Sequence, residues 1–430
     1  MDKSFSKSHN SFTYINNGNT SILHTEEVSS VLLAETVGTP LYVYSYSMLA
    51  ERYKTLARIL PNALICFSVK ANANISIIHS LAQLGAGADV VSGGELIRAI
   101  KAGVPTNKIV FAGVGKTEDE MASALNAGIL QINIESEPEL EQLNSVALKL
   151  GKIAPVAVRI NPDVDAKTHD KIATGRRDDK FGVPYEMAQH LYKRISELPA
   201  VEAVGLATHI GSQLMSLQPF EKAFTRLGEL AHTLKTDGHN IKNLDFGGGL
   251  GVNYSNQNEP SIDQYASILL KTANAVGCHI TIEPGRFIAA PAGILLTRVI
   301  YVKRTQSRTF VIVDSAMNDF IRPALYDASH KVEPIIKPEK SDALETVDIV
   351  GPICESGDFL AKNKKLPSLN PGDLLAIRDT GAYGATMSSH YNSRIPAGEV
   401  LVNGKMWSVI KKQETIEDVI ANEPLAHWLT

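Results

Sequence analysis

Cysteine is scarce in this chain of 430 residues: only Cys66, Cys278 and Cys354 occur. Three thiols so far apart build no disulfide framework, and no Cys-x-x-Cys or Cys/His cluster has zinc-ligand spacing. No metal is expected, and a reducing, cytoplasmic setting is. An apolar run of about 20 residues is missing too, which argues against a membrane span. The opening MDKSFSKSHNSFTYINNGNT is polar and lacks the apolar stretch of a signal peptide, so it reads as a loose tail. Charge of one sign is also lacking: the net charge is −4 in a chain that is 20% charged and 44% hydrophobic. Neither nucleic acid nor an anionic membrane is an expected partner. That leaves a small molecule in a pocket.

What is present is a rhythm. Short β-rich apolar runs recur: ALICFSV (63–69), GADVVS (87–92), KIVFAG (108–113), LQINIES (130–136), PVAVRI (155–160), VGLATHIG (204–211), NLDFGG (243–248) and HITIEP (279–284). Helical spacing fills the gaps, as in Glu95–Lys101, Glu118–Ala127, Glu137–Leu150 and Phe220–Lys235. Near-continuous apolar strands alternating with helices indicate a parallel sheet covered on both faces. Eight such units match an α/β fold of the (β/α)8, TIM-type barrel class, with a doubly wound sheet as the alternative. After Arg286 strand-like runs follow with little helix, ending in EVLVNGKMWSVI, where Asn403-Gly404 signals a hairpin. The chain is therefore read as a barrel over residues 39–290 and a mostly β C-terminal domain over 291–430. Residues 1–38 are assigned to the β domain, because Thr39-Pro40 breaks the chain before the barrel.

Barrel enzymes carry function at the C-terminal ends of strands, often with a phosphate site after strands seven and eight. Those positions hold Gly247-Gly248-Gly249-Leu250-Gly251 and Glu283-Pro284-Gly285-Arg286. A glycine run serves a tight turn as well as a phosphate, but its pairing with a Gly-Arg after strand eight favours a phosphate-bearing ligand. Lys70 ends the first strand, pointing into the barrel mouth, where desolvation would make its amine nucleophilic. An isolated lysine is ordinarily a snorkelling surface residue. This one has company: Asp89 in the second strand and His209 at the end of the sixth. An amine, an imidazole, a carboxylate and a phosphate cradle at strand ends together point to cofactor chemistry.

These motifs resemble those of the fold-type III pyridoxal-phosphate enzymes, the alanine racemase-like barrels that include ornithine and diaminopimelate decarboxylases. The likeness runs from Leu41 to Trp407. It comprises SVKAN (68–72), GADVVSGGEL (87–96), RINP (159–162), TG and KFG (174–175, 180–182), HIGSQ (209–213), GGGLG (247–251), EPGR (283–286), CESGD (354–358) and DTGAYG (379–384). The resemblance implies pyridoxal 5′-phosphate as cofactor, held by Lys70 as a Schiff base. It implies that His209 stacks on the ring, that Asp89, Pro284 and Gly285 belong to the cofactor site, and that Ser212 and Gly249 lie near the phosphate. Glu283 would meet the pyridine nitrogen, and Arg286 and Tyr383 would lie where phosphate and substrate meet. A carboxylate at that nitrogen improves the ring as an electron sink, which favours decarboxylation over racemisation. Cys354 would donate the proton that replaces CO2, from the other protomer of a homodimer with active sites at the interface.

The substrate's far end separates family members. The segment Asp314–Tyr326 resembles a diaminopimelate decarboxylase substrate loop, with Arg322 for a carboxylate and Tyr326 beside it; Glu355 would take an ammonium. Ornithine or lysine would require acidic groups alone, and a non-catalytic homologue would be expected to lose Lys70 or Cys354. Tyr391–Val400 resembles the family's closing motif but has Ile395-Pro396-Ala397 where a second arginine is usual. The charged stretch Arg176-Arg177-Asp178-Asp179 reads as a lid.

Overall fold

The computed structural model describes residues 11–18, 20–165, 174–175, 179–254, 258–339 and 343–429. The polar opening through Asn10 and Arg176–Asp178 of the expected lid lie outside them. The chain divides into two compact units, Leu49–Ala289 and a second made of Met1–Met48 with Ala290–Thr430.

The first unit is a closed barrel of eight parallel strands. They are β1 (Leu64–Ser68), β2 (Gly87–Val90), β3 (Ile109–Phe111), β4 (Gln131–Ile134), β5 (Ala154–Asn161), β6 (Val201–Thr208), β7 (Asn243–Asp245) and β8 (His279–Ile282). Each pairs with its neighbours in chain order, and β8 closes the ring on β1. All eight apolar runs form strands, and Val183–Pro184 adds a short strand beside β5. The runs are continuous rather than alternating because both faces are covered: Phe67, Val90, Phe111, Ile132 and Val158 are all buried.

Helix limits follow local chemistry. Thr117 caps Glu118–Ala127 with a reciprocal Glu120 box, and Gly128 ends it in the left-handed conformation. Glu137–Leu150 is bounded by Ser136, whose hydroxyl accepts from Glu139 N–H, and by left-handed Gly151, each N-terminal cap contributing about 1 kcal/mol. The other two expected helices run slightly longer, at Gly93–Lys101 and Gln218–Thr236.

The second unit is mostly β. Phe12–Asn17, Thr20–Thr25 and Val28–Ser29 form an antiparallel sheet. A larger sheet is centred on the long strand Gly293–Arg304. Leu41–Ser45 belongs to that sheet, antiparallel to Gly293–Arg304 and parallel to Gly398–Asn403. The barrel unit consequently starts at Leu49 rather than at residue 39. Phe12, Leu23, Leu33, Val43, Ile294 and Val402 share one buried core, so the N-terminal segment packs within the β unit. Gly398–Asn403 and Met406–Lys411 form the expected hairpin, with Gly404 at φ +59° in its turn.

Candidate active site

Lys70 sits in the short turn Val69–Ala71 after β1, its side chain about a third exposed. Its Nζ lies 2.7 Å from Oδ2 of Asp89, a fully buried residue of β2. Ser68 also donates to that Oδ2, which fixes the carboxylate under the amine. A cavity of about 560 Å³ opens beside Lys70, with His209, Glu283, Arg159, Asn133 and Phe181 among its walls.

His209 follows β6. Burial, then the charges of Arg159 and Lys70, push its imidazole well below the usual histidine range, so the ring is neutral. Gly248 N–H donates to its Nδ1 at 3.1 Å, which leaves the ring proton on Nε2. Glu283 follows β8 and is 6% exposed. Burial, then the charges of Asp245 and Asp89, hold its carboxyl well above the ordinary range. Its Oε1 accepts no hydrogen bond among the described residues.

The loops after β7 and β8 pack closely. A Cβ on Gly248 would collide with the Glu283 carbonyl oxygen, and one on Gly249, at φ +110°, with the Gly211 carbonyl oxygen. Gly285 is equally confined, by Ser68 and Ala71, and buried Pro284 accepts from Ser68 N–H at 3.3 Å. Arg286, itself buried, donates to Ser212 Oγ from Nη2 at 2.9 Å and to the Tyr254 hydroxyl from Nη1 at 3.0 Å. Guanidinium, hydroxyls and a glycine-lined backbone together offer donors to an anion.

The remaining expected residues lie in the β unit. Arg322 opens the short helix Arg322–Tyr326, is 6% exposed, and holds its guanidinium 5.8 Å from the Tyr326 ring centre. Its Nε points at His330 Nε2 at 3.5 Å, while His330 Nδ1 donates to the Arg378 carbonyl at 2.8 Å. Cys354 is exposed, and its N–H donates to Asn392 Oδ1 at 2.9 Å. Glu355, also exposed, accepts from the Tyr391 hydroxyl. Tyr383 has φ +55°, a left-handed conformation that a tyrosine rarely adopts.

Two buried acids tie these loops together. Asp358 accepts from Met317 N–H at 2.7 Å and Ile353 N–H at 2.8 Å. Asp319 accepts from Ala316 N–H at 3.0 Å and Ala397 N–H at 2.9 Å, and burial pushes its carboxyl up to about 7. In place of the usual second arginine, the Ile395–Ala397 stretch thus supplies a backbone donor.

Several residues of the barrel site escaped the sequence reading. Asp245 ends β7 and abuts Glu283, Arg159 forms a buried ion pair with Glu135 at 3.1 Å, and Tyr254 braces Arg286. A polar residue ending an apolar strand, the signal that revealed Lys70, also marks Asp245. No local signal marks Tyr254.

A family model described as pyridoxal-dependent decarboxylase, pyridoxal binding domain, matches residues 46–290. The chain belongs to the pyridoxal-dependent decarboxylases, and its cofactor is pyridoxal phosphate. It is 45% identical over 411 residues to the diaminopimelate decarboxylase of Zymomonas mobilis, covering 94% of this chain and 97% of that one. The Neisseria meningitidis serogroup B diaminopimelate decarboxylase is 48% identical over 404 residues, covering 93% and 97%. The crystal structure of Helicobacter pylori diaminopimelate decarboxylase complexed with L-lysine superimposes with a TM-score of 0.88 at 40% identity, covering 91% and 98%. Within the class, these relatives place the chain in the diaminopimelate decarboxylase family.

The barrel residues fit the cofactor. They offer an accessible amine at Lys70, an unpartnered carboxyl oxygen at Glu283, a flat neutral imidazole at His209 and the anion donors around Gly249, Ser212 and Arg286. Among the described residues no helix is long and apolar enough to cross a membrane.

Proposed function

We propose that the chain decarboxylates meso-2,6-diaminopimelate to L-lysine and CO2. The observation that carries this is the convergence of Lys70, Asp89, His209 and Glu283 at the C-terminal mouth of the barrel. The full-length likeness to diaminopimelate decarboxylases, one of them solved with L-lysine, supports the substrate.

When bound, the cofactor supplies an electron sink for the bond to the departing carboxylate. Lys70 holds the cofactor through its amine, with Asp89 orienting Nζ. His209 stacks on the ring as a neutral group, because an imidazolium there would repel a positively charged ring. Glu283 meets the ring nitrogen, Pro284 and Gly285 shape the turn that carries it, and Ser212, Gly249 and Arg286 hold the phosphate. Arg322 and Tyr326 bind the carboxylate that stays, Glu355 the distal ammonium, and Tyr383 lies where phosphate and substrate meet.

CO2 leaves its bonding pair on the carbon, Cys354 donates its Sγ proton to that carbon, and the thiolate left behind regains a proton from solvent. We infer a homodimer in which Cys354 and Glu355 of one protomer serve the barrel of its partner. Their exposure supports this. A cytoplasmic location is supported by the three free thiols.

The test is CO2 release from meso-diaminopimelate, ornithine and lysine, each assayed separately. Turnover of diaminopimelate is expected to dominate, and faster turnover of ornithine would overturn the substrate assignment.

A further inference from the structure

Two carboxyls meet at the floor of the barrel site. Asp245, at the end of β7, is 1% exposed, and Glu283, after β8, is 6% exposed. The two side chains lie in contact, and each keeps one buried oxygen that no hydrogen-bond donor among the described residues reaches, Oδ2 of Asp245 and Oε1 of Glu283. Asp245 is furnished to stay ionised: Gly247 N–H donates to its Oδ1 at 3.0 Å, and the Asn133 side chain donates to it as well. The Asn133 amide is oriented in turn, because its Oδ1 accepts from buried Gln131 Nε2 at 2.7 Å, leaving the NH2 free to donate. Glu283 has no such backbone donor to its side chain among the described residues, and its Oε1 is buried and unpartnered.

Two buried carboxylates in contact cannot both carry charge, since each like charge in a poorly solvated site raises the cost of the other. The surroundings add little relief. Asp89 contributes another negative charge, Lys70 is the cation that faces the pair, and the Cys66 thiol and Tyr265 hydroxyl packed nearby are both held protonated.

We infer that Asp245 is a positioning residue for the cofactor's ring nitrogen, sharing one proton with Glu283 so that the two carboxyls act as a single monoanionic partner. In this arrangement Glu283 donates to Asp245 through one carboxyl oxygen and offers the other to the ring N–H. The negative charge is seated on Asp245, where Gly247 and Asn133 hold it. The dyad thus balances a protonated ring without placing a full charge on the cavity wall. The inference rests on reading Glu283 as the partner of the ring nitrogen.

The test is infrared spectroscopy of the full-length, cofactor-loaded protein, with D2O exchange to identify a protonated-carboxyl band. Wild-type-minus-variant difference spectra at neutral pH are expected to show the loss of one such band in both Glu283→Gln and Asp245→Asn, with the protonated Asp319 cancelling as a constant background. A shared proton makes the two losses equal rather than additive. No loss of that band in the wild-type-minus-Asp245→Asn difference, or loss of an ionised-carboxylate signal instead in the wild-type-minus-Glu283→Gln difference, would overturn the dyad. The second comparison holds even if Asp245→Asn does not fold. Visible absorption of the cofactor separates the underlying reading: Glu283→Gln must shift it, and an unchanged spectrum would remove Glu283 from the ring nitrogen.

Discussion

The barrel and the β unit position their reactive groups in opposite ways. In the barrel, Lys70, Asp89, His209 and Glu283 stand in or just beyond strands whose backbone ladder closes on itself. Each is placed by covalent geometry and needs little more than a neighbour to orient its tip. In the β unit, Cys354 and Glu355 stand on a loop and Arg322 on a one-turn helix, all outside any sheet. There the backbone N–H groups of the loops are gathered by the buried carboxyls of Asp358 and Asp319. A strand end is rigid by construction, whereas a loop becomes rigid only by satisfying its own backbone donors.

That contrast can be broken most severely at Lys70. Lys70→Ala is expected to cut turnover by about 10³-fold or more, read as CO2 release, with the barrel still folded by circular dichroism. A turnover near that of wild type would remove the amine from the chemistry. On the loop side, Cys354→Ala should slow turnover by about 10²-fold while the cofactor stays bound, as loss of a proton donor does. Retained activity would shift the proton donor elsewhere.

Arg322→Ala should raise KM for diaminopimelate by about 10- to 100-fold and leave cofactor absorbance alone, since a charge-assisted pair of about 1.5–3 kcal/mol is lost. An unchanged KM would leave the cofactor chemistry intact but undo the carboxylate assignment. Asp358→Ala strands the N–H groups of Met317 and Ile353, so the urea midpoint should fall by the equivalent of about 2–3 kcal/mol. Loss of cofactor in this variant would contradict the independence of the two modes of positioning.

The smallest effect concerns pH. Asp319 has its folded carboxyl raised from 3.8 to about 7, so the folded state holds its proton more tightly than the unfolded chain does. Its contribution is therefore full below pH ~4, fades as pH rises through ~7, and is flat above. Asp319→Asn should flatten the slope of the urea midpoint between those limits, and an unaltered slope would reassign the titration.

How much was legible in the sequence follows from the same physics. The barrel strands were readable because two covered faces leave an uninterrupted apolar run, and helices such as Glu118–Ala127 because Thr117, Glu120 and Gly128 write both ends locally. Leu41–Ser45 was not. Its LYVYS is buried at every position like a barrel strand, and its partners near Gly293 and Gly398 leave no mark in its own neighbourhood. Within the site, Lys70 was visible as a charge ending an apolar strand. Asp245 carries the same signature but was masked by the glycine run beside it. Asp358 was read only as part of a motif, because its work lies in hydrogen bonds to backbone groups that no sequence pattern displays.

The seating of Leu41–Ser45 between Gly293–Arg304 and Gly398–Asn403 has a bearing on how the chain matures. During synthesis the whole of Leu49–Ala289 emerges before either partner of that early strand exists. The strand stays unpaired while the barrel emerges; its antiparallel neighbour follows directly at Gly293, and its parallel neighbour only at Gly398. A ribosome that stalls or stops short of Gly398 thus releases a product with a finished barrel and an open, apolar strand edge, a template for aggregation rather than a smaller enzyme.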